Sequence, residues 1–285
     1  MVRLGTRASA LALAQAEVVA AGLGGAELVT ITTSGDRDRS AHGDKERWTR
    51  ELDAALLDGR IDAAVHSAKD LPARLAPGIV IAATPPRADP FDALCGAASI
   101  DALPEGARVG TGSLRRAAQL KAAREDLEPC ELHGNVDTRL ERLAAGDFDA
   151  IVLACAGLER LGRGDEIGTR LEEMVPAAGQ GTLAVTVRAG EEGSVATLDD
   201  PATHAALDAE RAVVGGLDAD CHTPVGVHAT PQDGLFAVEA FVGRPDGSAW
   251  LRDRLAESDA EPERIGGRVA ERLLAAGAGE VLGRG

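Results

Sequence analysis

The clearest candidate for chemistry is a lysine beside an aspartate at the end of an apolar run. The stretch AAVHSAKDLP, residues 63–72, passes from the pattern of a buried strand into Lys69 and Asp70, immediately before a proline. α/β proteins place their sites just beyond the carboxyl ends of strands. Lysine occurs at only three positions in a chain that otherwise uses arginine, which indicates that an ammonium group is needed there. In the structural alternative, Asp70 caps the following turn and Lys69 is its surface partner.

Five arginines predict an anionic ligand. Arg115 and Arg116 lie in the first turn of a predicted helix. A cation there opposes the helix dipole and mildly destabilises the helix unless an anion is bound nearby. Guanidinium groups bind carboxylates and phosphates through paired hydrogen bonds. Each arginine taken singly would be interpreted as a solvated surface residue, but together they predict a ligand with several carboxylates or phosphates. The set comprises Arg7, Arg115, Arg116, Arg139 and Arg160.

Two short turns of similar composition are typical of anion sites. RLGTRAS at residues 3–9 returns as RVGTGS at residues 108–113, each between a short apolar run and an Ala/Leu-rich helix. A second pair, GRIDAAV at 59–65 and GDFDAIV at 146–152, follows in the same order. Backbone N–H groups at such strand-to-helix turns point outward at the positive end of the helix dipole. One such turn alone is a weak signal, because it is also a common connection between a strand and a helix. The duplication predicts two similar halves that bind an anion between them.

The surrounding pattern predicts an α/β fold with a smaller third domain. Apolar runs alternate with helical patterns up to about residue 190, and a proline-rich crossing separates the two halves. Past residue 203, alternating strands and a final helix predict an α+β domain with an antiparallel sheet. We therefore expect two similar doubly wound α/β domains with an interdomain cleft. The expected bounds are 1–86 with 181–200 for the first domain, 87–180 for the second and 201–285 for the third, with a lid loop at about 34–47.

Composition limits the possible functions. The chain has 46 acidic and 30 basic residues, a net charge of −16, and so should repel nucleic acid and anionic membranes. It shows neither a membrane-length apolar run nor a secretory signal, so a cytoplasmic location is expected. The spacing of its four cysteines argues against a zinc site or a disulfide framework. We interpret the acidity and the scarcity of lysine as adaptation to high salt combined with a GC-rich genome.

Six segments, taken in order, are specific to one family. They are HSAKDLP, GTGSLRRAAQL, HGNVDTRL, AGLERLG, PAAGQGTLAV and CHTPVG. With this set the chain resembles the porphobilinogen deaminase family over essentially its full length. The family's VHSxKDxP segment is matched at residues 65–72, and its GTSSLRR segment at residues 110–116 except for Gly112. The resemblance implies a three-domain fold with the site in the cleft between the first two domains.

The resemblance also implies an activity. Enzymes of this family are transferases of tetrapyrrole biosynthesis that deaminate porphobilinogen, join four of its molecules head to tail and release hydroxymethylbilane by hydrolysis. A covalent dipyrromethane cofactor, attached by a thioether to the matching Cys221, stays on the enzyme. Porphobilinogen carries acetate and propionate side chains, in agreement with the polycarboxylate that the arginines predict. No metal, nucleic acid or membrane is implied, and we expect a monomer.

Matching motifs assign roles to individual residues. Asp70 matches the catalytic aspartate, whose carboxylate would stabilise the cationic methylene-pyrrole left when ammonia departs and relay protons during coupling. Arg7 and Ser9 match substrate-side positions, and Lys45 matches a lysine of the flexible lid. The positions that hold the cofactor and the growing chain are matched by Ser67, Lys69, Thr111, Ser113, Arg115, Arg116, Arg139 and Arg160.

Three positions depart from the family pattern. Ala219 and Asp220 replace two glycines before Cys221, and the carboxylate beside the thiol predicts a raised thiol pKa. Trp48 stands at the phenylalanine position of the lid, and Gly112 removes one hydroxyl from the cofactor cradle.

Other interpretations stay open on the residues alone. Cys221 by itself would be a small buried thiol. The duplicated architecture also suits a two-lobed anion-binding protein, which would need neither Cys221 nor Asp70 in its cleft. A phosphate-ester enzyme that uses the two turns is a third possibility.

Overall fold

The structure is a computed structural model that describes residues 1–37, 45–220, 222–232, 234–258 and 261–284, without the side chains of residues 37, 45 and 232. The strands of this part of the chain are β1 (Arg3–Thr6), β2 (Glu27–Thr30), β3 (Ala63–Ser67), β4 (Ile79–Ala83), β5 (Asp92–Cys95), β6 (Arg108–Gly110), β7 (Glu128–Cys130), β8 (Ala150–Ala154), β9 (Thr169–Leu171), β10 (Leu183–Arg188), β11 (Val225–Gln232), β12 (Leu235–Gly243) and β13 (Trp250–Glu257). Its α-helices are α1 (Ala10–Gly22), α2 (Ser34–Arg37), α3 (Arg50–Leu57), α4 (Leu114–Ala123), α5 (Val136–Ala144), α6 (Cys155–Arg160), α7 (Pro201–Gly216), α8 (Pro262–Ala275) and α9 (Ala278–Val281).

The first sheet has the strand order β2-β1-β3-β10-β4. Strands β2, β1 and β3 run parallel, whereas β10 is antiparallel to both β3 and β4. The first four residues of β3 are buried, as expected for a short apolar strand covered on both faces. Leu4, Val65 and Val185 meet in the core beside this sheet. The carboxyl end of β3 therefore delivers the chain from the core directly into the 3₁₀ turn Ala68–Asp70.

The second sheet repeats this plan, with the order β7-β6-β8-β5-β9. Again three strands are parallel, and the antiparallel strand β5 lies between β8 and β9. Each half also has the predicted strand-to-helix turn, from β1 into α1 and from β6 into α4. The duplication expected from the sequence is thus confirmed. The chain crosses between the sheets twice, at residues 84–91 and 172–182.

The third part is the predicted α+β unit. Strands β11, β12 and β13 form an antiparallel meander. Helices α7 and α8 pack against it, and Val227, Val238 and Val269 are fully buried in the shared core. Asp200 caps α7 by accepting from the Thr203 N–H at 2.8 Å, and Pro201 occupies the first turn. The antiparallel sheet and both helices are confirmed.

One detail of the helix prediction is wrong. The spacing of Trp48, Leu52, Ala55 and Leu56 predicts a single amphipathic helix, but α3 begins at Arg50 and Trp48 belongs to the preceding 3₁₀ turn. Leu52 and Leu56 are fully buried as expected. The Trp48 ring instead packs against the Arg7 guanidinium, whose Cζ lies 4.1 Å from the ring centroid.

The predicted lid is described only at its two ends, because residues 38–44 lie outside the described part of the chain. In the residues that are described, no helix is both long and apolar enough to cross a membrane.

Candidate active site

A cavity of about 630 Å³ lies between the two sheets. Its size is that of a small-molecule site. Its walls come from the strand-to-helix turns and first helical turns of both halves, which is where anions bind most easily. Seven of the residues singled out from the sequence line it: Arg7, Ser9, Ser67, Lys69, Arg116, Arg139 and Arg160.

Asp70 lies in a smaller adjoining cavity of about 50 Å³, which shares Arg7, Ser9 and Ser67 with the larger one. The aspartate is exposed at the end of the 3₁₀ turn that follows β3. Among the described residues, none donates a hydrogen bond to its carboxylate, so the turn-capping alternative has no support. The Asp70 carboxylate therefore lies at the edge of the cleft without a hydrogen-bond donor among the described residues.

Lys69 points from the same turn into the larger cavity. Its Nζ donates to Oε1 of Gln180 at 3.2 Å. The pKa of Lys69 is lowered to about 8, mainly by burial and then by the positive charge of Arg116, while the negative charges of Asp70 and Asp92 partly oppose this effect. A desolvated ammonium group in a cavity wall favours a bound anion.

Arg115 and Arg116 are buried, with exposed fractions of 5% and 6%, and share one internal carboxylate. Arg115 Nη1 donates to Asp92 Oδ2 at 2.8 Å, and Arg116 Nη2 donates to Asp92 Oδ1 at 2.6 Å. Each guanidinium also reaches a backbone carbonyl, of Val175 and Val152 respectively, at 2.8 Å. The sequence analysis predicted that a ligand would supply the anion near Arg115 and Arg116. The protein itself supplies part of this negative charge, through Asp92. Arg116 lines the large cavity, and Arg115 lines neither cavity.

Asp92 is a charged residue of the site's support that the sequence analysis missed. It is fully buried at the start of β5, where burial would raise its pKa, but the adjacent charges of Arg115 and Arg116 outweigh this effect and the pKa is lowered. The carboxylate therefore stays ionised and orders both arginines. A lone aspartate in the apolar stretch FDALC was the available signal.

Arg139 and Arg160 differ from that pair because neither forms an ion pair with a carboxylate of the described residues. Arg139 Nε donates to the Gly134 carbonyl at 2.9 Å, and Arg160 Nη2 donates to the Gly181 carbonyl at 2.7 Å. Burial lowers the pKa of Arg139 to about 10 and lowers the pKa of Arg160 as well. These are partly desolvated cations in a cavity wall, which is the arrangement that binds carboxylates.

Arg7 is bound to the protein at two points. Its guanidinium pairs with Asp36, with Nη2 2.6 Å from Oδ1, and lies over the Trp48 ring. Asp36 is held in turn by the Thr33 hydroxyl at 2.8 Å. A ligand carboxylate must therefore share Arg7 with Asp36.

The hydroxyl residues mainly shape the turns. Ser9 caps α1 and Ser113 caps α4, each by accepting a backbone N–H of the first turn. Thr111 Oγ1 accepts from the Ser113 N–H at 3.2 Å, and Ser67 Oγ accepts from Gln15 Nε2 at 2.7 Å. Thr111 and Ser113 line neither cavity and lie behind the wall.

Two of the predicted site residues, Cys221 and Lys45, are not described in full. Cys221 lies outside the described residues, and Lys45 is described only in its backbone. Beside Cys221, the Asp220 carboxylate accepts from the Thr223 hydroxyl at 2.6 Å and from the His222 N–H at 2.9 Å. The hydrogen bond from Thr223 is the main cause of the lowered pKa of Asp220, so this residue adds a negative charge next to the cysteine.

His66 is a further titratable residue beside the smaller cavity. Its Nε2 lies 3.0 Å from Thr186 Oγ1 on the neighbouring strand β10. Burial lowers the pKa of His66 to about 4, so the ring is neutral near pH 7. The sequence analysis gave it no role, and its contacts are those of a packed core histidine.

Fold and site together define a class of protein: two α/β lobes of the same topology, a cationic cleft between them with exposed carboxylates at Asp70 and Asp137, and a small third α+β unit. Comparison with known proteins identifies the family within this class. Residues 2–196 match the model of the porphobilinogen deaminase dipyrromethane cofactor binding domain, and residues 205–275 match that of the porphobilinogen deaminase C-terminal domain.

Relatives match along nearly the whole chain. Porphobilinogen deaminase of Leifsonia xyli is 46% identical over 308 residues, covering 98% of this chain and 94% of that protein. Porphobilinogen deaminase of Rubrobacter xylanophilus is 46% identical over 296 residues, covering 98% and 96%. A solved structure of the Bordetella pertussis BvgS periplasmic VFT2 domain has a TM-score of 0.39 at 16% identity, covering 69% of this chain and 86% of that one, a likeness too low to bear on function.

The chain therefore belongs to the porphobilinogen deaminase family. Its activity is the deamination of porphobilinogen and the head-to-tail joining of these molecules on a dipyrromethane cofactor, with release of hydroxymethylbilane. The interpretations as an anion-binding protein or a phosphate-ester enzyme are thereby set aside.

Proposed function

We propose that the cations of the larger cavity hold the carboxylates of the cofactor and of the growing chain, and that Asp70 is the catalytic carboxylate. One observation carries this proposal: Arg139 and Arg160 are desolvated and without a carboxylate partner among the described residues, yet line the same cavity as Lys69. Cations in this state are stabilised by a ligand that brings its own carboxylates.

The residues present fit a dipyrromethane with acidic side chains. When bound, this group supplies the pyrrole end to which the first substrate molecule is joined. Arg116, Arg139, Arg160 and Lys69 bind its carboxylates and those of the chain built on it. The buried Arg115 supports Arg116 through the shared Asp92. Ser67 adds a hydroxyl from the cavity wall, and Thr111 and Ser113 hold the turn that presents α4.

Arg7 and Ser9 form the substrate side of the site, beside Asp70. An incoming carboxylate competes with Asp36 for the Arg7 guanidinium, which makes this contact weaker and easier to reverse than one to an unpaired arginine. Reversibility suits a position that must accept and pass on successive substrate molecules. Lys45 belongs to the lid over this side.

Asp70 stabilises positive charge on the substrate. Loss of ammonia leaves a methylene-pyrrole whose ring nitrogen carries cationic character, and a carboxylate near that nitrogen lowers the energy of this species. No described donor occupies the carboxylate, so it is available to bind the pyrrole N–H and to accept the proton that the attacked α-carbon loses when the new carbon–carbon bond forms.

Cys221 is the attachment point of the cofactor through a thioether, placed by its motif CHTPVG at the start of the third domain. The strand order supports a first domain of residues 1–86 and 181–200, a second of 87–180 and a third of 201–285, because β10 returns to the first sheet. The enzyme acts as a cytoplasmic monomer on a small-molecule substrate, without nucleic acid or membrane partners, as its net charge of −16 favours.

Two cleft carboxylates allow a matched test of Asp70. Asp137 is also exposed and lines the larger cavity, in the first turn of α5. At about 4 Å and an effective dielectric near 20, a carboxylate and a cation attract by about 4 kcal/mol, falling to about 1 kcal/mol in bulk water. Asp70 is exposed, so we expect an intermediate effect, a loss of about a hundredfold in turnover for Asp70→Asn.

The measurement is ammonia release from porphobilinogen by cofactor-loaded enzyme, with circular dichroism as the folding control. Asp70→Glu keeps the charge and should lose less activity than Asp70→Asn, and Asp137→Asn should lose much less. If well-folded Asp70→Asn stays within about tenfold of wild type while Asp137→Asn does not, the catalytic carboxylate is Asp137.

A further inference from the structure

Gln180 joins the charged groups of the two lobes through one buried side chain. It is 1% exposed and lies in the second crossing, just before β10. Its Oε1 accepts from Lys69 Nζ at 3.2 Å, on the side of the first sheet. Its Nε2 donates to Asp92 Oδ1 at 2.9 Å and to the Pro90 carbonyl at 2.8 Å, on the side of the second sheet. These partners fix the amide orientation, because only the oxygen can face an ammonium and only the NH₂ can face a carboxylate.

The backbone around Gln180 is hydrogen-bonded to Arg87 of the first crossing and to Glu210 of the third domain. Arg87 Nε donates to the Gln180 carbonyl at 2.9 Å, and Arg87 is paired with the fully buried Glu210 of α7 at 2.7 Å. Glu210 also accepts from the Gly179 N–H at 2.5 Å. Gly181 has φ +84°, and a Cβ there would lie 2.4 Å from the Ala88 carbonyl oxygen. Contacts with Lys69, with Asp92 and Pro90, and with Arg87 and Glu210 therefore fix the position of the Gln180 side chain.

We propose that Gln180 is a positioning residue for the reaction: it holds the Lys69 ammonium in the cavity wall and fixes its place relative to the Asp92–Arg116 pair of the other lobe. This inference rests on the proposed role of Lys69 in binding ligand carboxylates. Gln180 lines neither cavity and so acts through Lys69.

The neutral amide explains why this position is not a carboxylate. An acceptor is needed to stabilise a buried ammonium. A glutamate there would neutralise Lys69, compete with the ligand's carboxylates and repel Asp92. The amide provides the acceptor and leaves the positive charge available for the ligand. Other charged groups near Lys69 in the described part of the chain include Asp70 on its own turn, Arg115 and Arg116 on α4, and Asp92 on β5.

The chain offers a direct readout, because lysine occurs only at positions 45, 69 and 121. Holoenzyme labelled with ¹³C at lysine Cε gives three resonances, and Lys69→Met assigns the one of interest. Titration by NMR then reports the pKa of Lys69, which burial lowers to about 8 in this structure. The measurement does not depend on turnover.

Two substitutions should move this pKa in opposite directions. In Gln180→Met the ammonium loses an acceptor, and the pKa of Lys69 should fall by about one unit, the size expected for one hydrogen bond to a charged group. In Gln180→Glu a carboxylate replaces the amide, and the pKa should rise by a similar amount. Intact mass should show a reduced fraction of cofactor-bearing protein in both.

Gln119→Met is the matched control. Gln119 is 5% exposed, and among the described residues its amide bonds only with the backbone of Val175, at 2.7 and 3.0 Å. Its replacement should leave the pKa of Lys69 unchanged.

The inference is overturned if the pKa of Lys69 stays within about 0.3 unit of wild type in Gln180→Met, or shifts equally in the Gln119 control. Should Gln180→Met fail to fold, the direction of the shift in Gln180→Glu decides alone. Normal cofactor content in Lys69→Met would instead refute the proposed role of Lys69, whatever the titration of the Gln180 variants shows.

Discussion

The Asp92 carboxylate offers the sharpest test of how the cleft is built. It is fully buried and accepts from Arg115, Arg116 and Gln180. Asp92→Asn preserves the shape but removes the charge and turns an NH₂ group toward two buried guanidinium groups. Removing one partner of a buried ion pair costs roughly 3–5 kcal/mol, because the remaining charge is left uncompensated. We expect a loss of about this size from a total unfolding free energy on the order of 10 kcal/mol.

Urea unfolding followed by circular dichroism measures this loss. Asp147→Asn is the matched control, since Asp147 pairs with Arg142 at 2.9 Å while both side chains are more than 40% exposed. A surface pair of this kind contributes less than about 1 kcal/mol. The reasoning is refuted if Asp92→Asn is destabilised by no more than the Asp147 control. Because Arg116 lines the cavity, folded Asp92→Asn should also bind less cofactor, as seen by intact mass.

The stability difference should depend on pH in a defined direction. The charges of Arg115 and Arg116 lower the pKa of Asp92 in the folded state below the value of about 4 of an unfolded aspartate. A depressed pKa contributes stability that is present above the unfolded value and is lost as the pH falls through the folded value. The gap between wild type and Asp92→Asn should therefore be constant from pH 5 to 8 and narrow below about pH 4.

Three further predictions follow from the same reasoning. Wild-type protein should be heavier than its sequence by one dipyrromethane and Cys221→Ala should not; an unmodified mass for active wild type would exclude this attachment. Arg160→Leu should fold normally, because it breaks no ion pair among the described residues, but should lose cofactor or chain binding by roughly 1.5–3 kcal/mol in titration, and unchanged binding would make Arg160 a structural residue. The melting temperature should rise up to at least about 1 M KCl, where the Debye length falls to about 3 Å from about 30 Å at 0.01 M, and a flat response would count against salt adaptation.

Much of the fold could be predicted from local sequence pattern. The apolar run before Lys69 and Asp70 forms a buried strand, and both residues follow it on the turn expected. The repeated turns at residues 3–9 and 108–113 both lead from a strand into a helix. These predictions succeed because strand burial, turn composition and helix caps depend on residues near one another in sequence.

Contacts between residues far apart in sequence could not be predicted in the same way. Arg116 and Asp92 are 24 residues apart, and Gln180 reaches Asp92 across 88 residues. The helix-dipole argument correctly required an anion near Arg115 and Arg116, but it could not tell a ligand's carboxylate from the protein's own. That distinction depends on which strand of the second sheet lies beneath α4, and strand order cannot be predicted from the local sequence pattern.

The structure divides the cleft's cations into two kinds, and the division has a thermodynamic reason. If every cation in the cavity wall were unpaired, the cations would repel one another and destabilise the folded protein before any ligand binds. Internal carboxylates relieve this repulsion at Arg7, through Asp36, and at Arg116, through Asp92. Arg139 and Arg160 lack such partners among the described residues, so their interaction with a ligand carboxylate is not offset by the loss of an internal ion pair. Arg139 and Arg160 should therefore bind the cofactor's carboxylates most strongly, and Arg7 should bind a ligand carboxylate more weakly, as its proposed role on the substrate side requires.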